Sequence, residues 1–184
     1  MKRRNFLELV LASGLWLALT GHSPYKQWDV YRKTRLVVLG NAGEENSVKL
    51  GNALAEIYAK QLPDSRATFA RARNKHDLVR LIAGKQLDVA LLGESDAYDV
   101  LTGAEPYADN GKVPLRALAS LDNYLFVCRE DLPQQSAHML TEALEERWKD
   151  MASALPEQAK SPKPSESSRI PLHPGAVEYY REHD

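Results

Sequence analysis

Five histidines stand at positions 22, 76, 138, 173 and 183, beside a single cysteine, Cys128. No two of the histidines have the i, i+4 spacing that sets a pair of ligands on one helix face, and one thiol builds neither a disulfide nor a thiolate zinc cage. No metal is expected. Ser47 and Ser95 fall at expected helix starts, outside any Gly-x-Ser-x-Gly elbow, so backbone capping explains them better than a nucleophile does. His173 reads as a cap in the same way. Asp96 and Asp99 are three apart near a helix N-terminus, where the helix dipole stabilises a carboxylate without any acid–base role. Cys128 ends an apolar strand and reads as an inert core thiol. Nucleotide loops of the Gly-x-Gly-x-x-Gly or Walker type are missing, and neither an enzyme nor a cofactor is expected. What is left for function is a set of charged and polar residues recurring after successive apolar runs: Glu44, Glu45 and Ser47, then Arg73, Asn74 and Lys75, then Glu94 and Ser95. A mixed-charge rim of this kind suits a ligand or a protein partner.

The elements that must position these loops follow from hydrophobic spacing. From Arg35 onward, short apolar runs alternate with helix-period segments, the pattern of an α/β domain with a mainly parallel, buried sheet. Strands are expected at Leu36 to Leu39, Arg66 to Ala70, and Val89 to Leu92. Between them lie a helix from Asn46 to Gln61 and a second one capped by Asn74, facing inward through Leu78, Leu81 and Ile82 and ending left-handed at Gly84. Ser95 is expected to cap a third helix that stops at Gly103, followed by a polar loop over 104–113. Leu115 to Leu121 alternates and Tyr124 to Cys128 is continuously apolar, two strands separated only by Asp122-Asn123. Ala137, Leu140, Leu144, Trp148, Met151 and Leu155 then predict one long helix. Residues 156–171 read as a Pro/Ser-rich linker, and Pro174 opens a last helix carrying Tyr179-Tyr180.

The chain has 184 residues with 24 Lys+Arg against 25 Asp+Glu, enough for one core and without the basic face that phosphate binding requires. Nucleic acid is not an expected partner. Residues 1–22 stand apart: Lys2-Arg3-Arg4 precedes an apolar run from Leu9 to Leu19 that is too short for a confident membrane span of about 20 residues. Arg3-Arg4 followed by Phe6-Leu7 resembles a twin-arginine export signal, and an ordinary Sec-type signal or an uncleaved anchor shares the pattern. The expected location is the periplasm, with inner-membrane anchoring if the segment is kept. Contact with the membrane would run through that segment only.

Two blocks resemble the TAXI family, the extracytoplasmic solute-binding proteins of TRAP transporters. One is Pro171-Leu172-His173-Pro174-Gly175-Ala176 with Tyr179-Tyr180. The other is Asp88 to Leu92, leading to Ala97-Tyr98-Asp99 and then to Leu115 through Leu121; Gly51, Ala53, Leu54 and Ala55 match the start of the family's first helix. The resemblance implies a single periplasmic-binding-protein-like lobe over 35–155, with a C-terminal helix at 172–184 docking on it. A full member would carry a second lobe where this chain has only Asp122-Asn123. The strip around Leu121 to Tyr124 would then need cover, expected from the C-terminal helix or an oligomer partner.

The family's ligand loops are altered here. Ser47 and Val48 stand where paired tyrosines would be, Glu44-Glu45 where glycines would face an anion, Ala72-Arg73-Asn74-Lys75 for a Thr-Gly-Gly-Ser loop, and Gly93-Glu94-Ser95 for a Gln-Ser-Asp loop. Two negative charges repel a carboxylate at this range. The expected function is a non-enzymatic binding component, taking a small organic solute, in or beside a TRAP-type transport system. A TRAP permease would be the protein partner on that reading; the alternative is an accessory or assembly protein that has lost the ligand and docks on an exported or membrane redox complex.

Overall fold

The computed structural model describes residues 35–153, 162–163 and 168–183. The N-terminal unit Met1–Lys33, with Arg3, Arg4 and the signal-like segment, lies outside them, as does most of the expected linker.

Five strands form one sheet in the order β2-β1-β3-β5-β4. They are β1 (Val37–Asn41), β2 (Thr68–Ala72), β3 (Val89–Gly93), β4 (Leu115–Leu121) and β5 (Tyr124–Arg129). β1 pairs in parallel with β2 and β3, while β5 runs antiparallel between β3 and β4, so four strands share one direction. This is the expected α/β lobe with a mainly parallel sheet. Helices cover both faces: α1 (Glu45–Gln61), α2 (Lys75–Ala83), α3 (Glu94–Thr102), α4 (Gln134–Glu146) and α5 (Pro174–His183).

The period of two along each strand divides the apolar residues between two cores. Val38, Val89, Leu91, Phe126 and Cys128 face α1, α4 and α5. Leu39, Ala90, Leu92, Leu125 and Val127 face α2, α3 and the loop holding Tyr107 and Val113. Both faces of β3 are therefore buried, which is why its sequence is continuously apolar. Phe69 fixes the position of β2 on α1: a Cβ on Gly51 would lie 2.1 Å from the Phe69 ring, so only glycine lets the two elements approach this closely.

Several sequence expectations shift. β2 starts two residues late because Pro63–Ser65 forms a 3-10 turn and Arg66 takes a left-handed φ of 45°. The left-handed residue after α2 is Lys85, φ 55°, rather than Gly84, φ −75°, because the Gly84 N–H still bonds Arg80 O in the helical sense. β4 does not keep one alternation. A bulge between Ala117 and Ala119 sends Leu115 and Ala117 to one core and Leu118, Ala119 and Leu121 to the other. The long helix ends at Glu146, and Trp148–Ser153 continues as 3-10, whose tighter turn keeps Trp148 and Met151, three apart, on one side. Leu155 lies outside the described residues.

A few residues of the expected linker are described, and they lie against the sheet edge. Pro162 and Ile170 are buried. Pro162 O accepts from Ser120 N at 2.7 Å, Pro171 O from Ala117 N at 2.9 Å, and the His173 N–H donates to Ala117 O at 2.9 Å. β4 is an edge strand, and this returning tail satisfies its outward backbone groups. α5 then packs mainly on α4. His173 caps it, as expected: its Nδ1 accepts from Gly175 N at 3.2 Å, and its Nε2 lies 3.0 Å from Leu132 O. Tyr179 and Tyr180 are buried, with the Tyr180 hydroxyl 3.3 Å from Leu118 O and 3.4 Å from Pro162 O. In the strip from Leu121 to Tyr124, Leu121 shares its core with Ala176, Tyr179 and Tyr180 of α5, and Tyr124 packs against that core. Leu121 is fully buried, and the Tyr124 hydroxyl is tied to Glu44.

Candidate functional site

The loops following β1, β2 and β3 meet at the carboxyl ends of the parallel strands, the face where open α/β sheets carry their ligands. Each loop contributes one charged side chain to a common centre. Glu44 is the residue before α1, Lys75 opens α2, and Asp96 lies in the first turn of α3. Asn74 caps α2 as its sequence suggests, its Oδ1 accepting from the Asp77 N–H at 2.8 Å, and this fixes where Lys75 begins the helix.

Lys75 Nζ donates to Glu44 Oε1 at 2.9 Å and to Asp96 Oδ2 at 2.7 Å. The second oxygen of each carboxylate is also engaged. Tyr124, opening β5, donates its hydroxyl to Glu44 Oε2 at 2.9 Å, and Tyr107 donates to Asp96 Oδ1 at 2.7 Å. The result is a chain of five side chains, Tyr124–Glu44–Lys75–Asp96–Tyr107, in which one ammonium joins two carboxylates and each carboxylate is closed by a phenol. Its formal charge is that of one unbalanced carboxylate. The hydrogen bonds to Asp96 and then to Glu44 hold the Lys75 ammonium charged well above the ordinary lysine range. Burial, with the hydrogen bond to Glu44, pushes the Tyr124 phenol up to about 12. Burial and Asp96 raise Tyr107 further. Both phenols are therefore neutral donors at physiological pH.

This arrangement can hold loops together. It presents a carboxylate ligand with acid groups and neutral phenols, with its one cation already between two acids.

Ser47 is buried inside α1, and its Oγ accepts from the Asn41 N–H at 3.0 Å. It therefore ties the end of β1 to α1 and is not a cap. Ser95 is exposed and lies inside α3, whose N-cap is Gly93, so it is not a cap either; the helix starts two residues earlier than expected. Glu45 is exposed and pairs with Lys49 along α1 at 2.7 Å. Arg73 has 91% of its side chain exposed. Glu94 is exposed on the rim, with the Arg169 N–H 3.4 Å from its Oε1, and the Arg169 guanidinium lies 4.2 Å from the Tyr98 ring centroid. Of the sequence-predicted residues, Glu44 and Lys75 thus enter the centre. Glu45, Arg73, Asn74, Glu94 and Ser95 form its outer rim.

Asp96, Tyr107 and Tyr124 were not anticipated as site members. Asp96 carries the ordinary mark of a helix first turn, and Tyr124 that of an apolar strand. Tyr107 offered a usable signal, a lone aromatic within the polar loop 104–113. It is almost fully buried. Among the described residues no group of His, Cys, Asp or Glu is arranged to hold a metal ion, and no helix is long and apolar enough to cross a membrane.

No curated protein gives a significant match to the chain. Residues 122–183 match the NMT1-like family, a periplasmic-binding-like family related to substrate-binding proteins. The matched stretch covers roughly the last third of the chain, from the Asp122-Asn123 turn through β5, α4 and the returning tail to α5, and over it the chain is similar to a solute-binding-like domain.

Proposed function

We propose that this chain is a non-enzymatic, exported accessory module, a solute-binding-type lobe that docks on a membrane or exported protein complex through its strand-end rim. The observation that carries this reading is the Lys75 centre. Where a receptor for an organic acid would keep donors free, the Lys75 ammonium and the Tyr124 and Tyr107 hydroxyls are already given to the carboxylates of Glu44 and Asp96 within the chain. The fold supplies a second argument. Leu121 pairs directly with Tyr124 across Asp122-Asn123, so the chain turns back where a two-lobe receptor would cross into the lobe that closes on its ligand. Around the centre, Glu45, Arg73, Asn74, Glu94 and Ser95 remain as a polar rim of mixed charge, the composition that gives protein contacts orientation and selectivity. Export by the twin-arginine route through Arg3-Arg4 fits a module that folds before it travels, and belongs to the same proposal.

The family match over 122–183 favours a solute-receptor reading in its general form, of which a TAXI-like component of a TRAP-type system is the specific version. The two readings separate in one pair of measurements on the full chain. A photo-crosslinking residue at Arg73 or at Glu94, used in membranes, should capture a protein partner if the rim docks. In a thermal-shift panel of small organic acids and amino acids, a saturable rise in melting temperature would instead establish the receptor, since a ligand that binds only the folded state must raise apparent stability.

A further inference from the structure

The two edges of the sheet are treated differently. On β4 the outward backbone groups of Ala117 and Ser120 are taken by Pro171, His173 and Pro162, and Leu172 forms a parallel bridge to Ala117. At the other end of the order, β2 bonds only β1. Thr68 N donates to Leu36 O at 2.9 Å, and Ala72 O accepts from Ala42 N at 2.8 Å. With a period of two, Thr68, Ala70 and Ala72 thus face β1, and the N–H and C=O groups of Phe69 and Arg71 point away from the sheet. Among the described residues no strand lies beyond them.

Three arginines mark this edge: Arg66 before it, Arg71 on it and Arg73 after it, all exposed. Arg66 and Arg71 make no ion pair among the described residues. Arg73 lies 3.7 Å from Asp77, whose carboxylate is already held by Arg80 at 2.6 Å. Among the described residues the edge therefore combines strand N–H and C=O groups that face no further strand with two arginines outside any ion pair, Arg66 and Arg71, and a third, Arg73, that shares Asp77 with Arg80. Packing of the Phe69 ring against Gly51 seats the strand on α1.

We propose that β2 is a docking edge for an extended acidic segment of a partner protein, which adds to the sheet as a sixth strand beside Phe69 and Arg71 while its carboxylates meet Arg66, Arg71 and Arg73. The inference rests on the docking reading above and names the partner's chemistry. Main-chain hydrogen bonds to β2 would supply affinity, and the arginines would select acidic over neutral or basic strands. Arginines on an edge also serve in other proteins as protection against any added strand. The two roles predict opposite results.

The probe is a short fluorescein-labelled peptide alternating valine with aspartate and glutamate, titrated against the full chain by fluorescence anisotropy. Saturable binding is expected that weakens with salt, is lost when the peptide backbone is N-methylated on alternate residues, and falls about tenfold or more in R71E/R73E. Arg71→Pro removes an outward N–H without touching the β1 ladder and should weaken binding while the urea midpoint stays near wild type. Amide shifts should be confined to β2 and its flanks. No binding of the acidic peptide, equal binding of the N-methylated peptide, or shifts located on β4 would each overturn the proposal. Failure of the underlying docking reading would appear separately, as solute stabilisation or as no partner crosslinked at the rim.

Discussion

Lys75 Nζ lies 2.7 Å from Asp96 Oδ2, joining the first residue of α2 to the first turn of α3 across 21 positions of sequence. Because the same ammonium reaches Glu44 before α1, three loop ends depend on one side chain. Lys75→Met should therefore destabilise the fold by about 1–2 kcal/mol at neutral pH, a range reduced from that of a fully buried pair because the site is partly open to solvent. The folded-state lysine titrates above its ordinary value of 10.5, so its contribution is fully present below that pH and is lost as pH rises through the folded value. Urea unfolding of wild type and variant should show a constant difference between pH 6 and about pH 10 that narrows in stronger base. A variant as stable as wild type at pH 7 would remove Lys75 from its place as the keystone of the site.

Two serines that look alike in sequence should behave differently. Ser47→Ala leaves the Asn41 N–H without the acceptor it now has in a buried setting, a loss of about 1–3 kcal/mol. Ser95→Ala removes an exposed hydroxyl that caps nothing and should change stability by less than about 0.5 kcal/mol. Chemical denaturation of both variants checks the pair, and equal effects would contradict the placement of Ser47.

α5 approaches α4 backbone to backbone. A Cβ on Gly175 would lie 2.2 Å from Gln134 O and 2.8 Å from His138 N, neither of which can move as a flexible side chain would. Gly175→Ala should cost more than about 2 kcal/mol and release α5 first, seen as faster amide exchange over 174–183 than in α1. Uniform exchange across both helices would argue that α5 is not a separable element.

Tyr179→Ala together with Tyr180→Ala should lower stability by about 3–5 kcal/mol, through lost aromatic burial. Tyr180→Phe isolates the hydroxyl near Leu118 O and Pro162 O and should cost about 1 kcal/mol. Unchanged thermal melting of the double variant would mean that the C-terminal helix does not depend on these rings.

Cys128 is fully buried on β5. Burial, reinforced by the Asp88 charge, pushes its thiol far above the ordinary range, so thiolate is scarce at neutral pH. Ellman's reagent should react with it only at the rate of unfolding, and rapid labelling of native protein would show that β5 opens locally.

How much was legible depends on whether a feature is local. Hydrophobic spacing placed five strands and five helices, Asn74 as a cap, His173 as a cap and Gly103 as a stop, because each depends on residues within a turn or two. Glu44 and Lys75 could be nominated as loop charges for the same reason.

Their partners could not. Asp96, Tyr107 and Tyr124 meet them only because strand order 2-1-3-5-4 gathers those chain ends at one face, and an ion pair across 21 residues leaves no spacing signature. The bulge at Leu118 likewise exchanges the faces of β4 without altering its composition, since it is decided by pairing with β5. The described residues of the Pro/Ser-rich tail meet an edge that needs backbone partners, and the carbonyls of Pro162 and Pro171 serve that purpose as well as those of any residue. The amino-acid sequence by itself therefore determined the elements and the charge of the rim. Tertiary structure decided which charges neutralise one another and which sheet edge stays open among the described residues, because both depend on contacts between segments whose separation along the chain carries no local energy term.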